Sequence, residues 1–223
     1  MDLDIDRTTY EQNSGQEIEI EDFQKSFLCG IVEGFYGTPW SSSQREHLFY
    51  TLNRLKLNTY IYAPKDDQKH RKNWRDLYDR NESENISRLI ACARQHGINF
   101  VYSISPGLDI LYSCKNEREA LKLKLQQVLN LGANGVGIFF DDIEPDLREQ
   151  DAILYETYAA AQINITNFIF DALARPAIFL FCPTEYCTSR AKPSIIKSLY
   201  LRAIGETLND SILIMWTGPR VIS

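Results

Sequence analysis

Two adjacent carboxylates, Asp141 and Asp142, directly follow the apolar run 135–140. Burying such a pair would cost several kcal/mol, so we expect it at the water-filled mouth of a site. Strict strand alternation would point the two side chains to opposite faces; we therefore place the pair where the strand gives way to its loop. Because like charges this close repel, one member tends to hold a proton, which creates a proton donor beside an ionised neighbour.

Spacing alone leaves two other interpretations of these carboxylates open. Together with Glu144 and Asp146 they could cap the following helix, or they could bind a hard cation through oxygen ligands. The five cysteines form no CxxC pair, which argues against a zinc site and against a disulfide framework. We therefore predict reduced thiols and no zinc ion, and we assign no residue as a metal ligand.

The elements that must position this chemistry alternate regularly along the chain. Apolar runs rich in Ile, Val, Phe and Tyr are predicted to form parallel strands at 27–35, 59–63, 98–103, 135–140, 177–182 and 211–216. Helix-like segments lie between them, at 42–56, 83–96, 117–131 and 151–174. Gly97 and Gly132 are predicted to end the second and third of these helices. The alternation predicts an α/β fold built from repeated βα units.

Polar residues follow the carboxyl ends of five successive predicted strands. They are Glu33-Gly34, Lys65-Asp66-Asp67, Ser105-Pro106, Asp141-Asp142 and Glu185-Tyr186. Chemistry gathered from many strand ends at one mouth is typical of a barrel, whereas an open sheet binds its ligand at a single switch point. No GxGxxG motif follows the first strand, which disfavours a dinucleotide site. We therefore predict a (β/α)8 TIM barrel, with about six of its eight βα units in residues 26–223.

Composition disfavours several other classes of protein. The formal net charge of −6 offers no basic stripe for phosphates, so no nucleic-acid partner is expected. The apolar runs are far shorter than the roughly 20 residues of a membrane span. Residues 1–25 are acidic and polar and are predicted to form a disordered leader. Because this leader lacks a signal-peptide pattern, we expect a cytoplasmic and nuclear protein without a membrane partner.

Six segments, in order, resemble motifs of the family 84 glycoside hydrolases, most closely the animal O-GlcNAcases. They read GIVEGFYGTPW from Gly30, NTYIYAPKDD from Asn58, YSISPGLD from Tyr102, FFDDI from Phe139, FCPTEYC from Phe181 and WTGP from Trp216. The resemblance covers residues 27–223. It implies a cofactor-independent glycosidase on a TIM barrel that removes β-linked N-acetylglucosamine (GlcNAc) from Ser and Thr of intracellular proteins.

The resemblance also implies substrate-assisted hydrolysis with retention of configuration. The 2-acetamido oxygen of the sugar attacks its own anomeric carbon, and water then opens the resulting oxazoline. By motif, Asp141 would orient the acetamido group, and Asp142 would be the general acid and base. Tyr186 would hydrogen-bond the reacting acetamido group, although it could instead be a core aromatic with a satisfied hydroxyl.

Three further substrate-binding residues follow from the same motifs. Gly34 would present its backbone to the sugar where a side chain would collide, although it could simply make a turn. Lys65 would donate to sugar hydroxyls, although it could instead pair with Asp66 or Asp67. Val221 would line the pocket. The aromatic residues Tyr36, Trp40, Trp74 and Trp216 are predicted to be core or rim packing, and the histidines His47, His70 and His96 are predicted to be exposed and without a catalytic role.

The sequence departs from the family pattern in two respects. The loop 188–197 is more basic and less aromatic than the corresponding stretch of the family, which affects contacts to the peptide part of a substrate. The later Asp-Asn motif, the helical stalk through which animal members dimerise and the acetyltransferase-like domain are also missing from this sequence.

These missing parts bear on the activity of the chain. We expect the 223-residue chain alone to show little activity and poor solubility, and a homodimer is expected only of full-length members. The alternative function is an inactive fragment that acts at most as a sugar-binding or protein-binding module.

Overall fold

The computed structural model describes residues 27–221. The predicted leader, residues 1–25, lies outside this range. Six strands form one sheet: β1 (Gly30–Glu33), β2 (Thr59–Tyr62), β3 (Asn99–Ile104), β4 (Gly135–Phe139), β5 (Phe179–Cys182) and β6 (Leu213–Ile214). Each strand pairs in parallel with the next one along the chain. The carboxyl ends of all six strands therefore meet at one edge of the sheet.

Helices connect these strands and cover one face of the sheet. They are α1 (Ser42–Arg54), α2 (Arg80–Gln95), α3 (Lys115–Asn130), α4 (Glu149–Ala152), α5 (Tyr158–Ala172) and α6 (Leu199–Thr207), with a 3-10 turn at Ile195–Lys197. Capping boxes begin α1 at Ser41 and α2 at Asp79. The predicted stops after α2 and α3 are present, since Gly97 and Gly132 have left-handed φ angles of 69° and 104°.

The predicted helix 151–174 is wrong in one respect, because the structure divides it into α4 and α5. The carboxylate of Asp151 is buried and accepts the backbone N–H groups of Tyr112 and Ser113, at 3.1 and 2.7 Å. These contacts tie α4 to the loop after β3. A new helix then begins beyond Thr157, whose side chain accepts the N–H of Ala160. Helix α6 lies in a segment for which no helix was predicted.

Alternate residues of the strands face two different apolar layers. Along β4, Val136 and Ile138 pack in the layer between sheet and helices, whereas Phe139 packs in a smaller cluster on the opposite, concave face. Val32 of β1 and Leu213 of β6 both line a cavity of about 270 Å³ on that concave face. The two ends of the sheet therefore curl toward each other around a common interior.

This architecture confirms the predicted α/β class and the incomplete TIM barrel, since the described strands form a curled half-barrel with alternating helices. Within residues 27–221, no helix is long and apolar enough to cross a membrane.

A fully buried carboxylate, Glu33, fixes the end of β1. The guanidinium of Arg45 on α1 donates to both of its oxygens at 2.8 Å. The hydroxyl of Tyr60 and the backbone N–H of Trp40 also donate to it. Every contact is a charge-assisted hydrogen bond, so the network anchors the loop that begins at Gly34 onto the helix layer.

Replacing Arg45 by Met should destabilise the fold by about 3 to 5 kcal/mol, because it leaves the charge of Glu33 buried and uncompensated. Urea denaturation at neutral pH measures the loss. Arg80→Met is the matched control, since Arg80 pairs with Glu84 on an exposed surface of α2 and should matter little. Equal effects of the two substitutions would show that the buried pair does not hold the β1 end.

Candidate functional site

The paired carboxylates lie at the carboxyl end of β4, where the strand becomes a loop. Phe139 faces the concave interior and Phe140 the helix layer, so Asp141 continues the series toward the interior. Asp142 would by alternation point away from it. Its φ angle of 53° places its backbone in the left-handed region, which non-glycine residues adopt rarely and mainly at functional sites. This turn brings both carboxylates to the same mouth, as the sequence predicts.

Asp141 is held by Lys65, which follows β2. The ammonium lies 2.5 Å from Oδ2 of Asp141, and the lysine side chain is buried. Lys65 does not pair with Asp66 or Asp67. Asp66 instead accepts the N–H of Gly37, and Asp67 accepts the hydroxyl of Tyr62. The second oxygen of Asp141, Oδ1, is buried and has no hydrogen-bond partner among the described residues. The carboxylate thus has one satisfied oxygen and one acceptor still available.

Asp142 lies nearer the rim and is held by three side chains. Its Oδ1 accepts the hydroxyl of Tyr186 at 3.0 Å and a guanidinium N–H of Arg190 at 2.9 Å. Its Oδ2 accepts the hydroxyl of Tyr36 at 3.3 Å. Arg71 donates to the backbone carbonyl of Asp142 at 3.3 Å. The two neighbouring carboxylates therefore have different environments, one enclosed beside an ammonium and the other at the entrance.

Tyr186 belongs both to the core and to the site. Its ring is buried in the concave cluster, yet its hydroxyl is satisfied by Asp142 rather than by a structural group elsewhere. Burial, together with the hydrogen bond to Asp142, raises the pKa of Tyr186 to about 12. The phenol is therefore a permanent hydrogen-bond donor at neutral pH.

Gly34 and Val221 follow β1 and β6, and their surroundings say less about a role in binding than those of Lys65 and Tyr186. The φ angle of Gly34 is not in the left-handed region, so a special turn does not require glycine there. A Cβ added at Gly34 would approach only a methyl group of Val32, at 3.2 Å. Apart from its chain neighbours, no other residue that the structure describes has an atom within 4 Å of that Cβ. Val221 is 48% exposed and belongs to the segment after β6.

The helix-cap interpretation of the carboxylate pair does not fit the structure. Helix α4 begins after Arg148, so the pair does not cap it. Among residues 27–221, no group of three or more His, Cys, Asp or Glu side chains is placed to hold a metal ion. Glu144 and Asp146 are exposed. What remains is a pair of carboxylates with donors around them, an arrangement suited to binding a neutral polar ligand and moving a proton.

The prediction that all three histidines are exposed is wrong for His70, which is fully buried. The charged segment after β2 resembles a surface loop, but it folds back against the end of β3. The Nδ1 of His70 lies 2.6 Å from the carbonyl oxygen of Ser103, and Nε2 lies 3.2 Å from the hydroxyl of Ser105. Since a carbonyl can only accept, Nδ1 carries the hydrogen and Nε2 accepts from Ser105. His70 is therefore a neutral support beneath the site.

His70 should make the fold sensitive to acid. Burial lowers the pKa of His70 to about 4, from 6.5. As the pH falls from 6.5 to about 4, His70 binds a proton in the unfolded chain but stays neutral in the folded chain. The free energy of unfolding therefore decreases by about 3 kcal/mol. Urea midpoints between about pH 7 and pH 4 should fall less steeply for His70→Gln than for the unmodified chain. The exposed His47→Gln should retain the full acid loss, and equal slopes for all three would contradict the assignment.

Three contacts of the site were not predicted from the sequence. Arg190, Arg71 and Tyr36 all touch Asp142, although Tyr36 was expected to serve only as packing. The excess of basic residues in the loop 188–197 was the one signal that pointed toward Arg190. Among the tryptophans, Trp74 is buried as predicted and donates to Asp109 at 2.9 Å.

Comparisons with known proteins agree with this geometry. A family model described as beta-N-acetylglucosaminidase matches residues 29–223. The chain is 49% identical over 199 residues to Protein O-GlcNAcase of Rattus norvegicus, and 48% identical to that of Mus musculus. Each alignment covers 89% of this chain and 22% of the relative, so the chain spans less than a quarter of their length. A solved structure of a mutant Thermobaculum terrenum O-GlcNAc hydrolase matches with a TM-score of 0.82 and 38% identity, covering 88% of this chain and 42% of that one.

Proposed function

This chain belongs to the beta-N-acetylglucosaminidase family, and on that premise we propose that it carries the proton-transfer site of a protein O-GlcNAcase. The reaction is the retaining hydrolysis of β-linked GlcNAc from Ser and Thr of glycoproteins, assisted by the sugar's own acetamido group. One observation carries the proposal. Asp141 and Asp142 lie side by side at one mouth, and Asp141 keeps a buried oxygen without a partner.

Asp141 orients the nucleophile. The acetamido N–H of a bound GlcNAc donates to the available Oδ1 of Asp141, which satisfies a buried acceptor that otherwise costs about 1 to 3 kcal/mol. Lys65 fixes the orientation of the carboxylate through its 2.5 Å contact to the other oxygen. Polarising the N–H increases the electron density on the acetamido oxygen and fixes that oxygen against the anomeric carbon.

Asp142 moves the proton in both steps. As the acetamido oxygen bonds to the anomeric carbon, the bond to the Ser or Thr oxygen breaks, and Asp142 gives its proton to that leaving oxygen. In the second step, Asp142 takes a proton from water while the water oxygen attacks the anomeric carbon and the oxazoline opens. Two displacements at the same carbon retain its configuration. The position of Asp142 at the rim suits a group that must meet both leaving group and water.

The remaining predicted residues bind the sugar. In the free site the hydroxyl of Tyr186 donates to Asp142, and in the complex it donates to the reacting acetamido oxygen instead. Lys65 has three N–H donors, so it can hold Asp141 and a sugar hydroxyl at once. Gly34 leaves room for the ring at the end of β1, and Val221 lines the pocket.

The partners of this activity are O-GlcNAc-modified proteins. The family membership supports such substrates, and we propose that the protein meets them in the cytoplasm and nucleus. Neither a nucleic acid nor a membrane has a part in the proposed reaction.

Hydrolysis of an aryl β-GlcNAc tests the proposal and separates it from a binding module without activity. The protein that contains this chain should release a weakly acidic phenol, whose departure needs a proton, and Asp142→Asn should slow that release strongly while the sugar still binds. Asp146→Asn is the control, because Asp146 is an exposed carboxylate of the same loop. Binding of GlcNAc without hydrolysis in the unmodified protein would refute the enzymatic role and support the binding module.

A further inference from the structure

The guanidinium of Arg190 lies at the entrance of the site in an incompletely satisfied position. It donates to Asp142 at 2.9 Å, and it stacks over the ring of Tyr186 at 5.1 Å from the ring centre. Its Nε is buried and has no hydrogen-bond partner among the described residues. The side chain is nevertheless 39% exposed. Arg190 thus retains donors for a further acceptor, and its outer side is open to solvent.

The contact between Arg190 and Asp142 conflicts with proton donation. The guanidinium occupies Oδ1 of Asp142 at 2.9 Å, whereas the first step of the reaction needs this carboxyl group to face the leaving oxygen. The same Oδ1 also accepts the hydroxyl of Tyr186, so the oxygen is fully occupied in the free site. A second anion beside Arg190 would compete with Asp142 for the guanidinium and free Oδ1 for the leaving oxygen.

A groove beside Asp142 shows where that anion would come from. It has a volume of about 480 Å³ and runs between the segment 143–145 after β4 and the segment 189–192 after β5. On the wall after β5, Arg190 and the exposed Lys192 face the groove together with Glu185, whose buried carboxylate accepts the hydroxyl of Ser198. The exposed Glu144 lies on the other wall. The peptide attached to the leaving oxygen lies on the side of the proton donor. Because Arg190 contacts Asp142 and also lines this groove, we place the peptide in the groove.

We propose that Arg190 determines substrate specificity by pairing with a carboxylate of the peptide that carries the sugar. This inference rests on the proposed function, and it names the preferred class of substrate: GlcNAc on Ser or Thr with a neighbouring Asp or Glu. The acidic side chain lies against Arg190 and Lys192, on the side of the groove opposite Glu144. A charge-assisted pair with the outer nitrogens of the guanidinium releases Asp142 for proton transfer.

Matched glycopeptides test the inference in the protein that contains this chain. Three peptides carry the same GlcNAc-serine and differ only in the adjacent residue, which is Asp, Asn or Lys. Both affinity, by fluorescence anisotropy, and kcat/KM are measured. We expect a preference of about tenfold for Asp over Asn, with Lys the weakest, because one charge-assisted pair at a partly exposed site is worth about that factor. In Arg190→Gln the three peptides should become equivalent.

Arg202→Gln is the matched control, since it removes the same charge from an exposed position on α6 and should leave the preference intact. A preference that survives in Arg190→Gln, or its absence in the unmodified protein, would overturn the inference. Measuring both affinity and turnover distinguishes a failure of the role of Arg190 from a failure of the proposed reaction. Acid-selective binding without hydrolysis supports the role of Arg190 and refutes the proposed reaction, whereas hydrolysis without selectivity does the reverse.

Discussion

Removing the acetamido group from the substrate should lower turnover by at least about 10⁵-fold, because that group supplies the nucleophile. A well-oriented intramolecular nucleophile has an effective concentration on the order of 10⁵ to 10⁸ M, and no side chain of the described site replaces it. The closest carboxylate, Asp141, is tied to Lys65 and is placed to receive an N–H. The measurement compares an aryl β-GlcNAc with the aryl β-glucoside that has the same leaving group.

The control for this comparison is Asp141→Asn. It should reduce hydrolysis of the GlcNAc substrate, and so narrow the gap between the two sugars, because the amide no longer polarises the acetamido N–H. Equal turnover of both sugars by the unmodified protein would refute substrate assistance and would require an enzyme nucleophile instead.

The second large effect concerns the leaving group. Asp142→Ala should slow substrates with a poor leaving group, such as a GlcNAc-serine peptide, by about 10² to 10⁴-fold, since general-acid help is worth that much. An activated aryl substrate should suffer far less, because its oxygen is already stable as an anion. Steady-state rates over a series of aryl alcohols of different acidity give the dependence directly.

Asp141→Ala is the counterpart of that experiment. Asp141 acts on the nucleophile rather than the leaving group, so its loss should slow poor and activated substrates alike. The reverse pattern, with Asp141 sensitive to the leaving group and Asp142 not, would show that the two roles are exchanged.

Sequence patterns predicted the framework of the site well because local rules decide it. Strand alternation in β4 and the apolar runs around it follow from the periodicity of buried strands. The ends of α2 and α3 follow from Gly97 and Gly132, because glycine adopts the left-handed conformation that ends a helix without the steric penalty of a side chain. The convergence of Lys65, Asp142 and Tyr186 at one mouth follows from the parallel order of the strands, because every carboxyl end meets at the same edge.

Contacts between distant loops could not be predicted in the same way. Arg190 contacts Asp142 across 48 residues of sequence, and the basic composition of the loop 188–197 does not specify which carboxylate it contacts. His70 lies in a charged run that has the composition of an exposed loop, yet the fold supplies Ser103 and Ser105 as buried partners. The Asp151 contacts that tie α4 to a loop are likewise tertiary, and they override the helical propensity of the segment.

The central claim, that this site removes GlcNAc from a peptide with retention of configuration, is tested most directly by proton NMR of the first-formed sugar. The protein that contains this chain is mixed with a GlcNAc-serine peptide, and the anomeric signals are followed before mutarotation equilibrates them. The account predicts that the β-anomer of free GlcNAc appears first, since two displacements at the anomeric carbon restore its configuration. Initial appearance of the α-anomer, or an intact glycopeptide after prolonged incubation, would contradict it.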